Sequence, residues 1–429
     1  MSSWNPLKWL PVRPGEGAAV AWSFIYFFCL LGGYYVIRPV RDTMGVTGGV
    51  DQLQWLFTGT FVAMCVAVPI YGWLAGRYAR AVLLPAVYLF FIACLLGFYF
   101  ALASGVADVL LARAFFIWTS VFNLFVVSVF WTFMADIYSR PQAQRLFGFI
   151  AAGGSAGAIF GPGLTTLLAD PLGTNRLLLI SAAMLTLALL AITRLRHQAR
   201  RHTPEESGAA LGGRPLDGLR HLLRSRYMAG IGAFIVLYTL IATFLYFQQA
   251  HIVEDAFASE DERTSAFALI DLLTNTLTLG LQFFATHHLV RRLGLDRALA
   301  LIPLLVAFGF VVLAWMPAFT VLMTFQVIRR AGNYALTRPG REMLFTVLQR
   351  EDKYKTKNVI DTLVYRGGDA ASGWLFSGLK TAGLGLSGTA LIAAAVSLVW
   401  MTLGVWLGRR QQEQAATATP TEAEDERLQ

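Results

Sequence analysis

Apolar residues run along this chain in twelve long stretches, each ending near glycine, proline or a cluster of charge. A helix needs roughly 20 such residues to cross the hydrocarbon core of a bilayer. The pattern therefore predicts spans at residues 17–38, 53–75, 81–102, 107–135, 145–169, 174–193, 227–250, 264–288, 296–316, 318–340, 358–380 and 385–408. Six fall on each side of a polar, arginine-rich interruption. The expected fold is all-α and integral to a membrane, with twelve transmembrane helices in a six-plus-six pseudo-symmetric bundle. Four regions follow: an N-terminal six-helix bundle over 1–193, a basic linker over 194–226, a C-terminal six-helix bundle over 227–410, and a tail over 411–429. The tail is rich in Ala, Thr and Glu and is expected to be disordered.

Composition agrees. Soluble domains carry about 25% charged residues, whereas this chain has 14%, with 56% hydrophobic residues and a mean hydropathy of +0.56. That excludes a soluble domain of any size. Cys29, Cys65 and Cys94 lie inside predicted spans, which argues against a disulfide framework. Residues 1–17 hold three prolines and no continuous apolar run, so no cleavable signal peptide is expected and the first span is read as a retained anchor.

A net charge of +9 invites a nucleic-acid partner, but its distribution argues against one. With the N-terminus placed in the cytoplasm, 25 of the 35 Lys and Arg residues fall on the cytoplasmic side, six outside and four within spans. This bias is the positive-inside rule. It places both termini in the cytoplasm, and a bacterial inner membrane is the expected location. The basic linker is either a solvated loop or a short amphipathic helix resting on anionic lipid at the cytoplasmic face.

Short motifs add a family resemblance. Gly72-Trp73-Leu74-Ala75-Gly76-Arg77-Tyr78-Ala79-Arg80 resembles the G-x-L-a-D-r-x-G-r loop between spans two and three of major facilitator superfamily transporters, with Gly76 in place of the aspartate and Ala79 in place of the second glycine. Tyr34-Tyr35-Val36-Ile37-Arg38-Pro39-Val40-Arg41-Asp42-Thr43 looks like the R-D-T-K-D segment of the ATP/ADP translocases, nucleotide antiporters distantly related to the major facilitators. Phe130 to Asp136, and Lys357-Asn358-Val359-Ile360-Asp361, are similar to members of the same family. The resemblance implies a major facilitator-type bundle and nucleotide exchange. Met44, however, stands where those carriers have a lysine important for transport, Gly45 replaces their next aspartate, and Asp369 falls near a basic position of theirs. A scaffold kept for a changed cargo is the expectation.

Charge within a bilayer is costly, so intramembrane ionisable residues mark pathways or partners. Span ten carries Arg329 and Arg330, followed by Asn333. Span eleven carries Arg366 and Asp369 at i, i+3, close enough to bond each other, and span eight carries Asp271 with Asn275 at i, i+4. At the outer end of span one, Arg38, Arg41 and Asp42 either snorkel with a local Arg–Asp bond or attract an anion. Arg38, Arg41, Arg329, Arg330, Asn333 and Arg366 are the candidate substrate-binding residues; Asp42, Asp271 and Asp369 are the candidates for proton coupling or gating. Asp271 could equally make a plain hydrogen bond to Asn275 or to a neighbouring helix. Gly153-Gly154 in span five and Gly367-Gly368 in span eleven, alike in their surroundings, are expected to let helices pack closely.

Chemical motifs are few. No G-x-x-x-x-G-K-[ST] and no H-E-x-x-H is present, and no cofactor, metal or catalytic residue is expected. Gly153 to Gly157 spells G-x-S-x-G, but within an apolar helix rather than a strand-to-helix elbow. The chain is read as a secondary active transporter, not an enzyme, of the major facilitator type. It would be monomeric and would move a small anionic solute, such as a nucleotide or another phosphate-containing compound, by alternating access. The competing class keeps the fold as a partner-binding subunit or lipid translocator.

Overall fold

The structure, a computed structural model, describes residues 12–13, 15–78, 80–105, 108–199, 225–284, 286–348, 357, 359–360 and 364–425. Most of the linker (200–224), together with Asn358 and Asp361 of the third family-like motif, lies outside the described residues. Helices follow one another with no strand among the described residues: α1 (Gly17–Thr47), α2 (Leu53–Arg77), α3 (Arg80–Ala103), α4 (Asp108–Ile137), α5 (Arg140–Leu172), α6 (Leu177–Ala199), α7 (Arg226–Ala256), α8 (Glu260–Phe284), α9 (Thr286–Trp315), α10 (Phe319–Gly332), α11 (Arg338–Leu344), α12 (Tyr365–Thr381) and α13 (Leu386–Asp425). Ten of the predicted spans appear as helices long and apolar enough to cross a membrane.

The other two are the tenth, which changes helix type along its length, and the eleventh, of which residues 358 and 361–363 lie outside the described residues. α10 ends at Gly332 and passes through a π-helical turn, Asn333–Thr337, into α11; the Arg338 N–H reaches back five residues to Asn333 O. Such turns widen the backbone and are frequent at functional sites. α12 forms the later part of the eleventh predicted span, Tyr365–Thr381. α13 continues to Asp425, through the segment expected to be disordered. Ala, Gln and Glu are strong helix formers and carry the helix past Arg410.

Two compact units divide the chain, and they are not cut only at the linker. One comprises Met1–Gln52, Val62–Ala209 and Phe257–Asn275; the other comprises Leu53–Phe61, Ala210–Ala256 and Thr276–Gln429. The first turns of α2 thus belong with the second unit, and α8 up to Asn275 belongs with the first.

Within the first unit, α1 is the packed centre. A Cβ on Gly153 or Gly161 would stand 2.5 Å from Phe24 O or Gly32 O of α1, and one on Gly154 or Gly157 would overlap the Phe27 ring or Phe28 O. α5 therefore needs these glycines to lie against α1. At the helix starts, Glu16 accepts from both Arg145 terminal nitrogens (2.9 and 3.2 Å), from Gln142 (3.0 Å) and from the Arg13 N–H. The Arg145 hydrogen bonds lead in holding the Glu16 carboxyl down at about 2.

In the second unit α7 plays the part of α1. Gly368 of α12 faces Thr239 of α7, where a Cβ would come within 2.5 Å of Oγ1, and Gly373 lies against the Phe247 ring. Gly367 is a correction: a Cβ there would meet nothing within 4 Å. Consecutive helical residues point about 100° apart, so only one of the two can face α7.

Candidate functional site

Each unit gathers polar and charged side chains in the middle of its helices. In the first unit the centre is an ion pair. Arg38 of α1 donates through Nη1 to Asp271 Oδ1 of α8 at 2.8 Å, with the Asp271 side chain 2% exposed and Arg38 17%. The Arg38 guanidinium also lies 5.6 Å from the centre of the Tyr35 ring. Pro39 has no N–H to give to Tyr35 O, which opens the α1 ladder at this point. One turn further on, Arg41 bonds Asp42 Oδ1 through Nη2 (2.5 Å) and Nε (3.0 Å), and lies 5.0 Å from the Phe116 ring centre. The local Arg41–Asp42 bond is the one the sequence offered. For Asp271 the structure selects a neighbouring helix over Asn275, which instead donates to Ala158 O of α5 at 2.6 Å.

A polar row extends from this pair. Ser265 donates to Thr166 O (3.3 Å), Thr264 meets Thr43 (2.8 Å) and Thr174 (3.0 Å), the Thr174 N–H reaches Asp261 Oδ1 (2.6 Å), and Thr47 donates to Glu260 (2.7 Å). α8 up to Asn275 is therefore held by hydrogen bonds as well as by its buried Phe267, Ala268 and Ile270. The corresponding stretch of α2 in the second unit is held differently. Trp55 packs edge-on to Trp374 at 4.7 Å, Phe57 packs on Tyr246 and Phe247, and Trp374 Nε1 donates to Thr58 at 3.0 Å.

The second unit holds the larger cluster, where α10, its π turn, α7 and α12 meet. Arg329 and Arg330 are both buried, at 8% and 9% exposure. Arg329 donates through Nη2 and Nε to Gln326 Oε1 (3.0 and 3.2 Å), and Gln326 Nε2 donates to Gln249 Oε1 of α7 at 2.5 Å. Around the Arg329 charge stand the phenols of Tyr238, Tyr334 and Tyr365 and the second cation of Arg330; among the described residues no carboxylate pairs with it. Asn333 donates to the Tyr238 hydroxyl at 3.1 Å, and the Tyr238 and Tyr365 rings lie 6.0 Å apart. Beyond Tyr365, the Arg366 guanidinium lies 5.7 Å from that ring's centre and 3.7 Å from Asp369 Oδ2. Asp369 Oδ1 accepts from Thr243 at 3.4 Å.

Arg329, Arg330, Asn333, Arg366 and Asp369 thus belong to one cluster, and Arg38, Arg41, Asp42 and Asp271 to another. Sequence reading missed Tyr238, Thr243, Gln249 and Gln326. Two of these left a signal: Gln326 precedes Arg329 by three residues, and Gln249 is a polar side chain at the end of an apolar run. A buried guanidinium whose partners are amides and phenols keeps its charge uncompensated, and such a group attracts an anion.

Comparison with known proteins agrees with this architecture. Residues 23–345 match the family model of the Major Facilitator Superfamily. The ADP,ATP carrier protein 2 of Chlamydia pneumoniae is 22% identical over an alignment covering 96% of this chain and 92% of that protein. Among solved structures, a POT family transporter in complex with 5-aminolevulinic acid superposes with a TM-score of 0.68 at 12% identity, covering 95% of this chain and all of that one. The nucleoside transporter NupG superposes with a TM-score of 0.64 at 14% identity, covering 92% and 99%. These two likenesses concern the fold. With its helical, membrane-integral architecture and a family model matched over most of its length, the chain belongs to the major facilitator superfamily and is a membrane transporter of that type.

Proposed function

We propose that the protein is a secondary active transporter of a small anionic solute, with a phosphate-containing compound as the first class to test, working by alternating access. The observation that carries this reading is Arg329: a buried intramembrane cation set among Gln326, Tyr238, Tyr334 and Tyr365, with no carboxylate partner among the described residues. Evolution of a bundle core does not keep such a charge for stability, because an unpaired buried ion is destabilising. An anion arriving from solution supplies the missing counter-charge, and the surrounding phenols and amides give it further hydrogen-bond partners. The resemblance to ADP,ATP carrier proteins along nearly the whole chain supports a phosphorylated cargo. Met44 and Gly45, where those carriers have lysine and aspartate, favour a cargo that differs from theirs in size or charge. The positive-inside bias supports a bacterial inner membrane with both termini in the cytoplasm.

The test is uptake into liposomes containing purified protein, screening nucleotides, inorganic phosphate and organic anions with and without a proton gradient. Uptake of an anion by the wild type, reduced at least roughly tenfold in Arg329→Gln at equal folded protein, supports the reading; a lost charge-assisted contact of about 1.5–3 kcal/mol corresponds to that range. No anion uptake, or undiminished uptake by the variant, overturns it.

A further inference from the structure

Two cations act on Tyr365, and they differ in one respect. The first is Arg329, which bonds an amide and lies in the field of phenols. The second is Arg366, which has a carboxylate, Asp369, 3.7 Å away. That pair is loosely made: 3.7 Å exceeds a charge-assisted hydrogen bond, usually about 2.7–2.9 Å, and the Thr243 contact is long at 3.4 Å. The Asp369 side chain is 16% exposed and that of Arg366 32%, against 2% for Asp271 in its 2.8 Å pair. Compared with the Arg38–Asp271 pair, this is the one built to be exchanged.

The groups facing Asp369 are few. From its own helix come Arg366 and Tyr365, and from α7 comes Thr243; among the described residues Arg366 is the one charged side chain acting on it. If Arg366 turns to another anion, Asp369 keeps one weak hydroxyl donor and is left as a carboxylate with no counter-charge in a low-dielectric setting. A carboxylate in that position takes a proton.

We propose that Asp369 sets the charge this site accepts: a monoanion binds at Arg329 without proton uptake, whereas a dianion draws Arg366 away from Asp369, and Asp369 takes one proton from solution. The bookkeeping is simple: the guanidinium moves from one anion to another, one proton moves from water to the Asp369 carboxylate, and no covalent bond to carbon or phosphorus changes. A dianion then travels with one proton, so the cycle is proton symport for doubly charged cargo. This inference rests on the reading that the Arg329 cluster binds the transported anion.

The experiment uses the full chain in lipid nanodiscs and two probes of one shape: phenyl phosphate, a dianion above pH 7, and phenyl sulfate, a monoanion. The dissociation constant of each is measured by titration calorimetry from pH 7 to 9. For the wild type, phenyl phosphate affinity is expected to fall roughly tenfold per pH unit, the signature of one linked proton, while phenyl sulfate affinity stays flat. In Asp369→Asn, which leaves Arg366 free of a carboxylate, the phenyl phosphate slope is expected to vanish while phenyl sulfate still binds, which also reports that the variant is folded. Asp369→Glu is expected to restore the slope. A flat wild-type profile for phenyl phosphate, or a slope that survives in Asp369→Asn, overturns the proposal while leaving anion transport standing. Failure of the wild type to bind either probe, with no anion taken up by liposomes, overturns the transport reading and this inference with it.

Discussion

Replacing Asp271 by Asn tests whether the Arg38–Asp271 pair is an interaction or only a proximity. At 2.8 Å the gross attraction is about 6 kcal/mol for an effective dielectric of about 20. Desolvating the two ions offsets most of that, so the pair adds little over an apolar substitute, yet removing one partner of a buried pair costs about 3–5 kcal/mol. Here two features lower the cost of Asp271→Asn to about 2–3 kcal/mol: Arg38 keeps some access to water, and the Asn carbonyl still accepts from it. Arg38→Gln removes the cation and its contact with the Tyr35 ring as well, which is why a single variant cannot isolate the pair. The double variant can, since two neutral amides bond each other and leave no buried charge behind. The coupling expected from the cycle is about 2 kcal/mol. The assay is the unfolding midpoint in detergent at one fixed scan rate, because membrane proteins of this size unfold irreversibly. Each single variant is expected to lose about 2–3 °C, taking roughly 1 °C per kcal/mol for a chain of this length. The double variant should lose clearly less than the two losses added. If the losses simply add, the two side chains do not interact energetically, and the argument that this pair holds α8 to α1 is wrong.

Further outcomes follow from the packing and the helix starts. Gly157→Val should lower the unfolding midpoint through about 3 kcal/mol or more of overpacking against Phe28 O, whereas Gly367→Ala, in open space, should be neutral or raise it by up to about 1 kcal/mol through helix propensity. Equal effects at the two positions would refute the close α1–α5 approach. For Glu16 the sign runs with a depressed carboxylate: its folded value of about 2 lies below the ordinary 4.5, so its stabilisation is complete above about pH 5 and is lost as pH falls toward 2. The difference in midpoint between wild type and Glu16→Gln should therefore shrink between pH 5 and 2, and a difference that grows on acidification would contradict the Arg145 contact. Gln326→Leu should leave Arg329 without its amide acceptor and weaken folding by about 1–3 kcal/mol; an unchanged midpoint would mean the arginine finds another partner.

Much of the fold was legible because hydropathy and helix length act locally. Ten spans and the Arg366–Asp369 pair depend on residues within a few turns of each other. Contacts across the chain were not legible in the same way. Arg38 and Asp271 each stood out as charges within spans, but they are 233 residues apart in sequence, and only the packing of α8 on α1 makes them partners. Gly367 and Gly368 are indistinguishable as letters; the rotation of α12 against α7 decides which one touches Thr239. The π turn after Gly332 left no hydropathy signal either, since Ala335 and Leu336 continue the apolar run. Gln326 and Gln249 were passed over because an amide carries no charge to flag, although their bond is what positions Arg329.

The same reasoning explains where this chain departs from its own pattern. The tenth and eleventh predicted spans, to which α10 and α12 belong, carry more charged residues than any other predicted span. They are also the two that carry Arg329, Arg330, Asn333, Arg366 and Asp369. A transporter must keep polar groups at membrane depth to hold a solute, and each such group lowers the apolarity of its helix and disturbs its hydrogen-bond ladder unless neighbours compensate. Tyr238, Thr243 and Gln249, all on α7, provide that compensation in the second unit. The most charged spans of this chain are thus the ones that gather the polar cluster of the second unit, and α7 is their counterpart: apolar enough to cross a membrane while turning its few polar side chains toward them.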